Sequence, residues 1–261
     1  MLRLLAEEMW ISKRGTLTTE MCESLAAIFC ETESKTPMVS RQVRERLVSH
    51  ALLATDSSQS GIRFDRNHFK EFFFGEQLGH YLSHSSKSDL RKLLRIETVS
   101  PWTLDSAVAH ATRGGLGIKE LLRTVLEVAA SEGPSSFVRE NSGALSLRLA
   151  DRLLIEERPF EISSVTLPPE ALYERPLQKY HFSDCYFRST KFPQTLEDVL
   201  FEKCEFEHID LIGAVVATHT RFSDCVFHGI TVGTDGQTAD YHDPDIIESC
   251  LSNLGMVFLR Q

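Results

Sequence analysis

Phe182-Ser183-Asp184-Cys185-Tyr186-Phe187, Phe201-Glu202-Lys203-Cys204-Glu205-Phe206 and Phe222-Ser223-Asp224-Cys225-Val226-Phe227 are three copies of one pattern, 19 and 21 residues apart. Around them an apolar residue returns about every fifth position: Ile162, Leu167, Leu172, Leu177, Phe182, Phe187 and Phe192. The series slips by one to Leu196, resumes through Phe201, Phe206, Leu211 and Val216, and slips again before Phe222, Phe227 and Val232. A helix turns about 100° per residue, so five steps scatter these side chains around its axis. A strand alternates faces, so an odd step throws successive members to opposite sides. The series points into one core only if the chain turns a corner between units. Four units make a coil of about 20 residues, the signature of a solenoid whose repeats bury their faces by stacking on one another.

Two places before the ladder stand small or β-branched residues: Val165, Cys185, Thr190, Val199, Cys204, Ala214, Thr220, Cys225 and Ile230. This alternation with Leu or Phe, with Asp or Ser nearby, resembles the pentapeptide-repeat family over residues 160–235. The resemblance implies a right-handed, four-sided parallel β-helix of about four coils, with Cys185, Cys204 and Cys225 as an interior column. His181, His208 and His228 lie nearby in sequence, yet no Cys-x-x-Cys pair with zinc spacing occurs. Free cysteine behaves as a small buried hydrophobe, so packing is the expected role of the column and no metal is expected.

Composition is that of a soluble globular chain: 261 residues, 42% hydrophobic and 25% charged. Six cysteines without paired spacing suit a reducing compartment. The opening Met1-Leu2-Arg3-Leu4-Leu5-Ala6-Glu7-Glu8 is too short and acidic for a signal peptide, and no apolar run approaches a membrane span. A cytoplasmic protein without membrane contact is expected. The net charge of −9 argues against direct nucleic-acid binding.

The first 153 residues carry helical periodicity. Leu2, Leu4, Leu5, Met9 and Trp10 begin one helix. Thr19 is expected to cap a second, with Met21, Leu25, Ile28 and Phe29 on its apolar side. A third runs from about Ser40 with Val43, Leu47 and Leu52. Leu52-Leu53-Ala54 and Ile62-Arg63-Phe64 flank a polar turn and read as a hairpin. Helices followed by a hairpin are the parts of a winged-helix module, although no basic recognition helix follows the hairpin. Asp65 or Asn67 is expected to cap the next helix, with Phe69, Phe72, Phe73, Leu78, Tyr81 and Leu82 as its stripe. Further helices are marked by Leu90, Leu93 and Leu94; by Trp102, Leu104, Val108 and Ala109; by Leu116 to Leu126; and by Leu145 to Leu154. Glu156-Glu157-Arg158-Pro159 marks the passage to the solenoid.

Phe64, Phe69, Glu71, Phe72 and Phe73 resemble the end of the winged-helix module in NACHT-type (STAND) signalling ATPases, where a strand reading Phe-x-His precedes a helix reading Phe-x-Glu-Phe/Tyr-Phe. Arg66 stands where that family has its nucleotide-sensing histidine, and His68 is out of register to replace it. The resemblance covers residues 1–85. It implies a partner ATPase core, in a longer parent protein or on another chain, in bacterial antiphage signalling.

Catalytic signatures are sparse. No Gly-x4-Gly-Lys-Ser/Thr loop occurs, and Gly114-Gly115-Leu116-Gly117-Ile118-Lys119 reads as a helix-opening turn. His80 and His84 share a helical face but lack the glutamate of a metalloprotease pair, and read as surface residues. Glu7-Glu8 and Glu156-Glu157 read as solvated faces. No enzyme and no cofactor are expected. The expected fold is α+β in four segments: a winged-helix-like module (1–85), a helical bundle or linker (86–158), the β-helix (159–235), and a polar loop with a helix capping the solenoid (236–261). Asp243-Pro244-Asp245 opens that helix, Ile246, Ile247, Leu251 and Leu254 form its apolar face, and Gly255 ends it.

The leading functional expectation is a non-catalytic regulatory and protein-interaction segment. The alternatives are an acidic DNA mimic bound by a topoisomerase and a general protein-binding scaffold. Residues 160–235 hold 12 acidic and 6 basic side chains. Asp184, Glu202 and Asp224 are the expected acidic surface.

Overall fold

The structure, a computed structural model, describes residues 1–47, 49–56, 61–153, 160–169, 171–172, 175–213, 216–234 and 237–259. The expectations placed on Leu154, on Glu156 to Pro159, on Ala214 and on Gly236 fall outside the described residues. The chain divides into two compact units, Met1–Leu116 and Gly117–Gln261.

The first unit runs α1 (Leu2–Ile11), β1 (Leu17–Thr18), α2 (Thr19–Thr32), α3 (Pro37–Leu47), β2 (Leu53–Asp56), β3 (Gly61–Phe64), α4 (Asn67–Ser83), α5 (Lys87–Leu94) and α6 (Pro101–Ala111). The hairpin forms as expected, Leu53 opposite Phe64. A strand that sequence reading missed, β1, joins it through Leu17 opposite Ile62, giving the order β1-β3-β2.

Small residues decide which helix faces turn inward. In α2 the buried positions are Cys22, Ala26 and Cys30, one turn apart, while the expected Ile28 is exposed. In α4 the buried face is Phe74, Gly75, Gln77, Leu78, Gly79 and Leu82, and the expected Phe72 is 38% exposed. Gly75 and Gly79 explain the rotation. A Cβ on Gly75 would lie 2.5 Å from the Thr103 carbonyl oxygen, and one on Gly79 would lie 2.4 Å from that of Ala107. The backbone of α4 therefore presses directly on α6, which turns Thr103, Leu104, Ala107, Val108 and Ala111 inward and leaves Trp102 at 56% exposure. Phe74 then stacks on Trp10 at 4.3 Å, and Trp10 Nε1 donates to the Leu93 carbonyl at 3.0 Å.

Two caps also differ from expectation. Thr18, not Thr19, caps α2, its hydroxyl accepting from the Met21 N–H at 3.2 Å. Arg66 is the cap residue of α4 and makes no side-chain cap, while Asn67 Nδ2 donates to Glu71 instead.

The second unit opens with α7 (Ile118–Ala130) and α8 (Phe137–Ala150). Gly117 caps α7, so the glycine-rich segment is a helix-opening turn, with the Gly117 N–H donating to Glu120 at 3.2 Å. Strands follow: β4 (Phe160–Ser163), β5 (Thr166–Leu167), β6 (Leu177–Gln178), β7 (Tyr180–Ser183), β8 (Tyr186–Phe187), β9 (Thr190–Lys191), β10 (Thr195–Glu197), β11 (Leu200–Glu202), β12 (Glu205–Phe206), β13 (Ile209–Ile212), β14 (Val216–Thr218), β15 (Arg221–Ser223), β16 (Val226–Phe227) and β17 (Ile230–Thr234). Every consecutive coil adds one parallel strand to each of four sheets: β6-β10-β14, β4-β7-β11-β15, β5-β8-β12-β16 and β9-β13-β17. This is a β-solenoid of about three turns, one fewer than the repeat length implied, because the described part of 160–175 supplies only β4 and β5.

The ladder residues from Ile162 to Leu211 are buried throughout. Val216 breaks the series at 61% exposure, and Ala217 takes its place, paired in register with Leu196. The extra residue falls between Leu211 and Ala217, and Gly213 there adopts φ +115°, a region that favours glycine.

Both ends of the solenoid are covered. At the first, α7 and α8 pack on β4 and β5, and Ala129, Leu147 and Ala150 join the solenoid's core. Gly143 permits the approach of α8, since a Cβ there would sit 2.3 Å from the Thr166 carbonyl oxygen. At the other end, residues 237–241, expected as polar loop, form β18 (Gln237–Tyr241), antiparallel to β17. Then α9 (Pro244–Asn253) is capped by Asp243, which accepts from the N–H groups of Asp245 and Ile246. Ile247 and Leu251 are buried, Leu254 packs against the core, and Ile246 is exposed. Gly255, at φ +88°, donates to Ser252 O and Met256 donates to Leu251 O, a Schellman ending. The chain next forms β19 (Val257–Leu259), a strand sequence reading missed, which pairs with β15 so that Phe258 lies opposite Phe222.

Alanine is the better helix former by about 1 kcal/mol, but overpacking costs about 1–3 kcal/mol. Gly79→Ala is therefore expected to lower the urea midpoint of the first unit despite its improved propensity. A higher midpoint would mean that α4 and α6 do not meet backbone to backbone.

Candidate functional site

Each coil sends alternate side chains inward, and the rings form two columns. Phe182, Phe201 and Phe222 stack at centroid separations of 5.3 and 5.0 Å, with interplanar angles of 10° and 15°. Phe187, Phe206 and Phe227 stack at 4.5 and 5.0 Å. Within one coil the two columns meet edge to face, as Phe201 does with Phe206 at 5.4 Å and 72°. Both arrangements suit the aromatic quadrupole. Phe227 is half-buried; the other five rings are buried.

Cys185, Cys204 and Cys225 form the third inner column. Their thiols donate to the carbonyls of Ile162, Phe182 and Phe201 at 3.2, 3.4 and 3.3 Å. Hydrogen bonding with Cys185 and Cys225, together with burial, pushes the Cys204 thiol far up, so it stays protonated. The nearby histidines turn elsewhere: His181 to Glu202 at 3.1 Å, His208 to Thr231 at 2.7 Å and His228 to Glu205 at 2.8 Å. Among the described residues no group of three or more His, Cys, Asp or Glu is disposed to hold a metal ion.

The three acidic residues expected on one surface do not share a column. Asp184, Lys203 and Asp224 occupy equivalent corners, at φ +52°, +51° and +53°. Glu202 sits one place earlier, between Ser183 and Ser223 of the adjacent coils. Counting back one residue from each cysteine of the repeated pattern would have found this alternation of sign. Asp184 is also occupied: Ser164 Oγ donates to Oδ2 at 2.9 Å, and Arg139 of α8 reaches its carbonyl at 3.0 Å and Oδ2 at 3.8 Å. Glu202 meets both His181 and Lys203, the latter at 3.6 Å. Tyr186, Glu205 and Val226 line up on another outer face. The outside is thus a lattice of mixed charge, hydroxyl and apolar groups in register from coil to coil.

In the first unit, the family-motif residues scatter. Phe64 is buried, Phe69, Glu71 and Phe73 are half-buried, and Phe72 is exposed. Phe64 stacks on Phe73 at 5.8 Å. Glu7, expected on a solvated face, instead accepts from Gln77 Nε2 at 2.8 Å and from the Tyr81 hydroxyl at 3.0 Å. Burial pushes its carboxyl upward and pushes Tyr81 up to about 12. His80 and His84 do share a face, 4.3 Å apart, with His110 6.4 Å from His80. His84 Nδ1 lies 2.8 Å from the His80 carbonyl at the end of α4.

No family model matches the chain, and neither the curated proteins nor the solved structures yield a match. No described helix is long and apolar enough to cross a membrane.

Two predictions test the inside and outside of the coil. Phe206→Asp sets an unpaired charge among stacked rings and should unfold the second unit, read as loss of its denaturation transition. Lys203→Gly should raise stability by about 0.5–1 kcal/mol, because relieving a left-handed side chain is worth about 1–2 kcal/mol and exceeds glycine's entropic cost. The exposed pair with Glu202 that it removes is worth little.

Histidine supplies a pH test. Burial first, then Arg3, His84 and His110, hold His80 below its ordinary pKa. Protonation thus favours the unfolded chain, and the first unit should gain stability as pH rises through about 6.5, the unfolded-state value. Urea midpoints should fall as pH drops below that value, and His80→Gln should flatten the slope. An unchanged slope in the variant would assign the dependence elsewhere.

Proposed function

We propose that this chain is a non-catalytic regulatory and protein-interaction segment, with the solenoid as its docking surface. The observation carrying the proposal is the filled aromatic interior. Two columns of stacked phenylalanines and a column of cysteine side chains occupy the coil, so the solenoid offers a partner only its outside. The five-residue ladder with one strand per coil in each of four sheets supports a pentapeptide-repeat-like architecture, four-sided and right-handed.

The first unit supports a winged-helix reading through its order α1-β1-α2-α3-β2-β3 and its strand order β1-β3-β2. Its helix before the hairpin, α3, carries Arg41, Arg44 and Arg46, which is where a basic recognition helix belongs. The neighbouring α2 carries Glu20, Glu23 and Glu31, with Glu33 just past its end, and these carboxylates would repel a phosphate backbone. We therefore read the module as protein-facing. Phe64, Phe69, Glu71, Phe72 and Phe73 carry the resemblance to NACHT-type signalling ATPases, which makes an ATPase core, in cis or in trans, the expected partner and antiphage defence the expected setting. The alternating Asp184, Lys203 and Asp224 column favours a partner of mixed charge over the basic DNA groove of a topoisomerase.

Affinity capture with the full chain tests the reading. Recovery of a nucleotide-hydrolysing protein, lost when Tyr186 and Glu205 are both replaced by Lys, is the expected result. Recovery of a topoisomerase, lost on Asp184→Lys with Asp224→Lys, would replace this reading with mimicry. Turnover of nucleotide by the purified chain alone would overturn it.

A further inference from the structure

A cavity of about 550 Å³ opens in the first unit between α1, α3 and α4. It exists because α3 is thinly anchored: Leu47 is its one buried residue among those described, so the helix stands off from its neighbours and leaves a gap. Leu2, Val43, Leu47 and Phe73 make an apolar floor, and Arg3, Arg46 and His50 stand around it. The volume lies in the range of about 300–1,000 Å³ that small-molecule sites occupy.

Charge gives the cavity a direction. Neither Arg3 nor Arg46 makes an ion pair among the described residues. The one carboxylate among the lining residues, Glu76, is engaged by His110 Nδ1 at 3.3 Å and by Arg113 at 3.9 Å. Arg3 and Arg46 thus stand beside an apolar recess whose one lining carboxylate, Glu76, is already engaged. In a chain of net charge −9, such a concentration of unmatched cations around hydrocarbon selects strongly by ligand sign. Guanidinium binds carboxylate and phosphate through paired N–H donors, while Val43, Leu47 and Phe73 take up a hydrocarbon body.

We infer that this cavity binds a small amphipathic anion, a carboxylate or phosphate group carried on an apolar chain. The inference is independent of the solenoid and of any protein partner, so either can fail without the other.

Binding is measured by titrating the full chain with decanoate and with octyl phosphate below their micelle concentrations. Calorimetry gives the affinity, and ¹³C-methyl spectra locate the site. Saturable one-to-one binding is expected, with shifts at Leu2, Val39, Val43 and Leu47. Arg46→Gln, an exposed change that leaves the fold intact by thermal melting, should weaken binding about tenfold, the value of one charge-assisted hydrogen bond. Arg3→Gln should act likewise. Val43→Glu should abolish binding by placing a carboxylate on the floor. Binding of one anion but not the other supports the site and identifies the head group. Three results would overturn it: no saturable binding of either anion, equal affinity for neutral decanol, or full affinity in both arginine variants.

Discussion

Rings that stack in register, coil upon coil, are the constraint on which the second unit depends. A phenylalanine of one coil finds its partner only if the next coil returns to the same place, about 5 Å further along the axis. Backbone pairing enforces the same return, even at the corners, where the Asp184 N–H meets Glu202 O and the Lys203 N–H meets Ser223 O. Changes in coil length are confined to stretches without a stacked ring: a shortened step between Phe192 and Leu196, and a lengthened one around Gly213. Non-glycine residues tolerate left-handed corners for the same reason, since a coil that turned differently would forfeit several stacked rings at once.

A stacked array has two open ends, and this chain closes them by different means. The first end is covered by α8, which is buried on nearly every side and carries Arg139 and Glu140 inside. Those charges are matched within the unit, Arg139 by Asp184 and Glu140 by Arg188 at 3.2 Å. A buried charge without its partner is costly, so this pairing also fixes how α8 lies across the first coil. The far end uses a hairpin strand on one sheet and a returning strand on another, both of which satisfy edge hydrogen bonds that would otherwise invite association.

The solenoid was legible because its signal resides in bulky residues at a period no single helix or strand can use. Phe182, Phe187, Phe201, Phe206 and Phe222 are buried where the ladder placed them. The helical half was legible in its elements and not in its faces. Apolarity pointed to Phe72, Ile28 and Trp102, whereas the closest contacts select Gly75, Gly79, Cys22, Ala26 and Ala107, residues notable for the side chain they lack. The five-residue count likewise falls on Val216, while the inward place is held by the smaller Ala217. On the outer surface, charge alone groups Asp184, Glu202 and Asp224, whereas the repeat sets Lys203 in register with the two aspartates. The cavity beside α3 had no sequence signal, since it arises from Arg3, Val43 and Phe73 on three separate helices.

Phe258 reaches Phe222 from 36 positions further along the chain, after a hairpin and a helix have intervened. Each earlier turn is laid down on the turn just completed, in the order of synthesis. The last phenylalanines wait for residues that leave the ribosome well after them. During that interval the growing tube presents a raw hydrophobic mouth, and a chaperone or a wrong partner has its best access there.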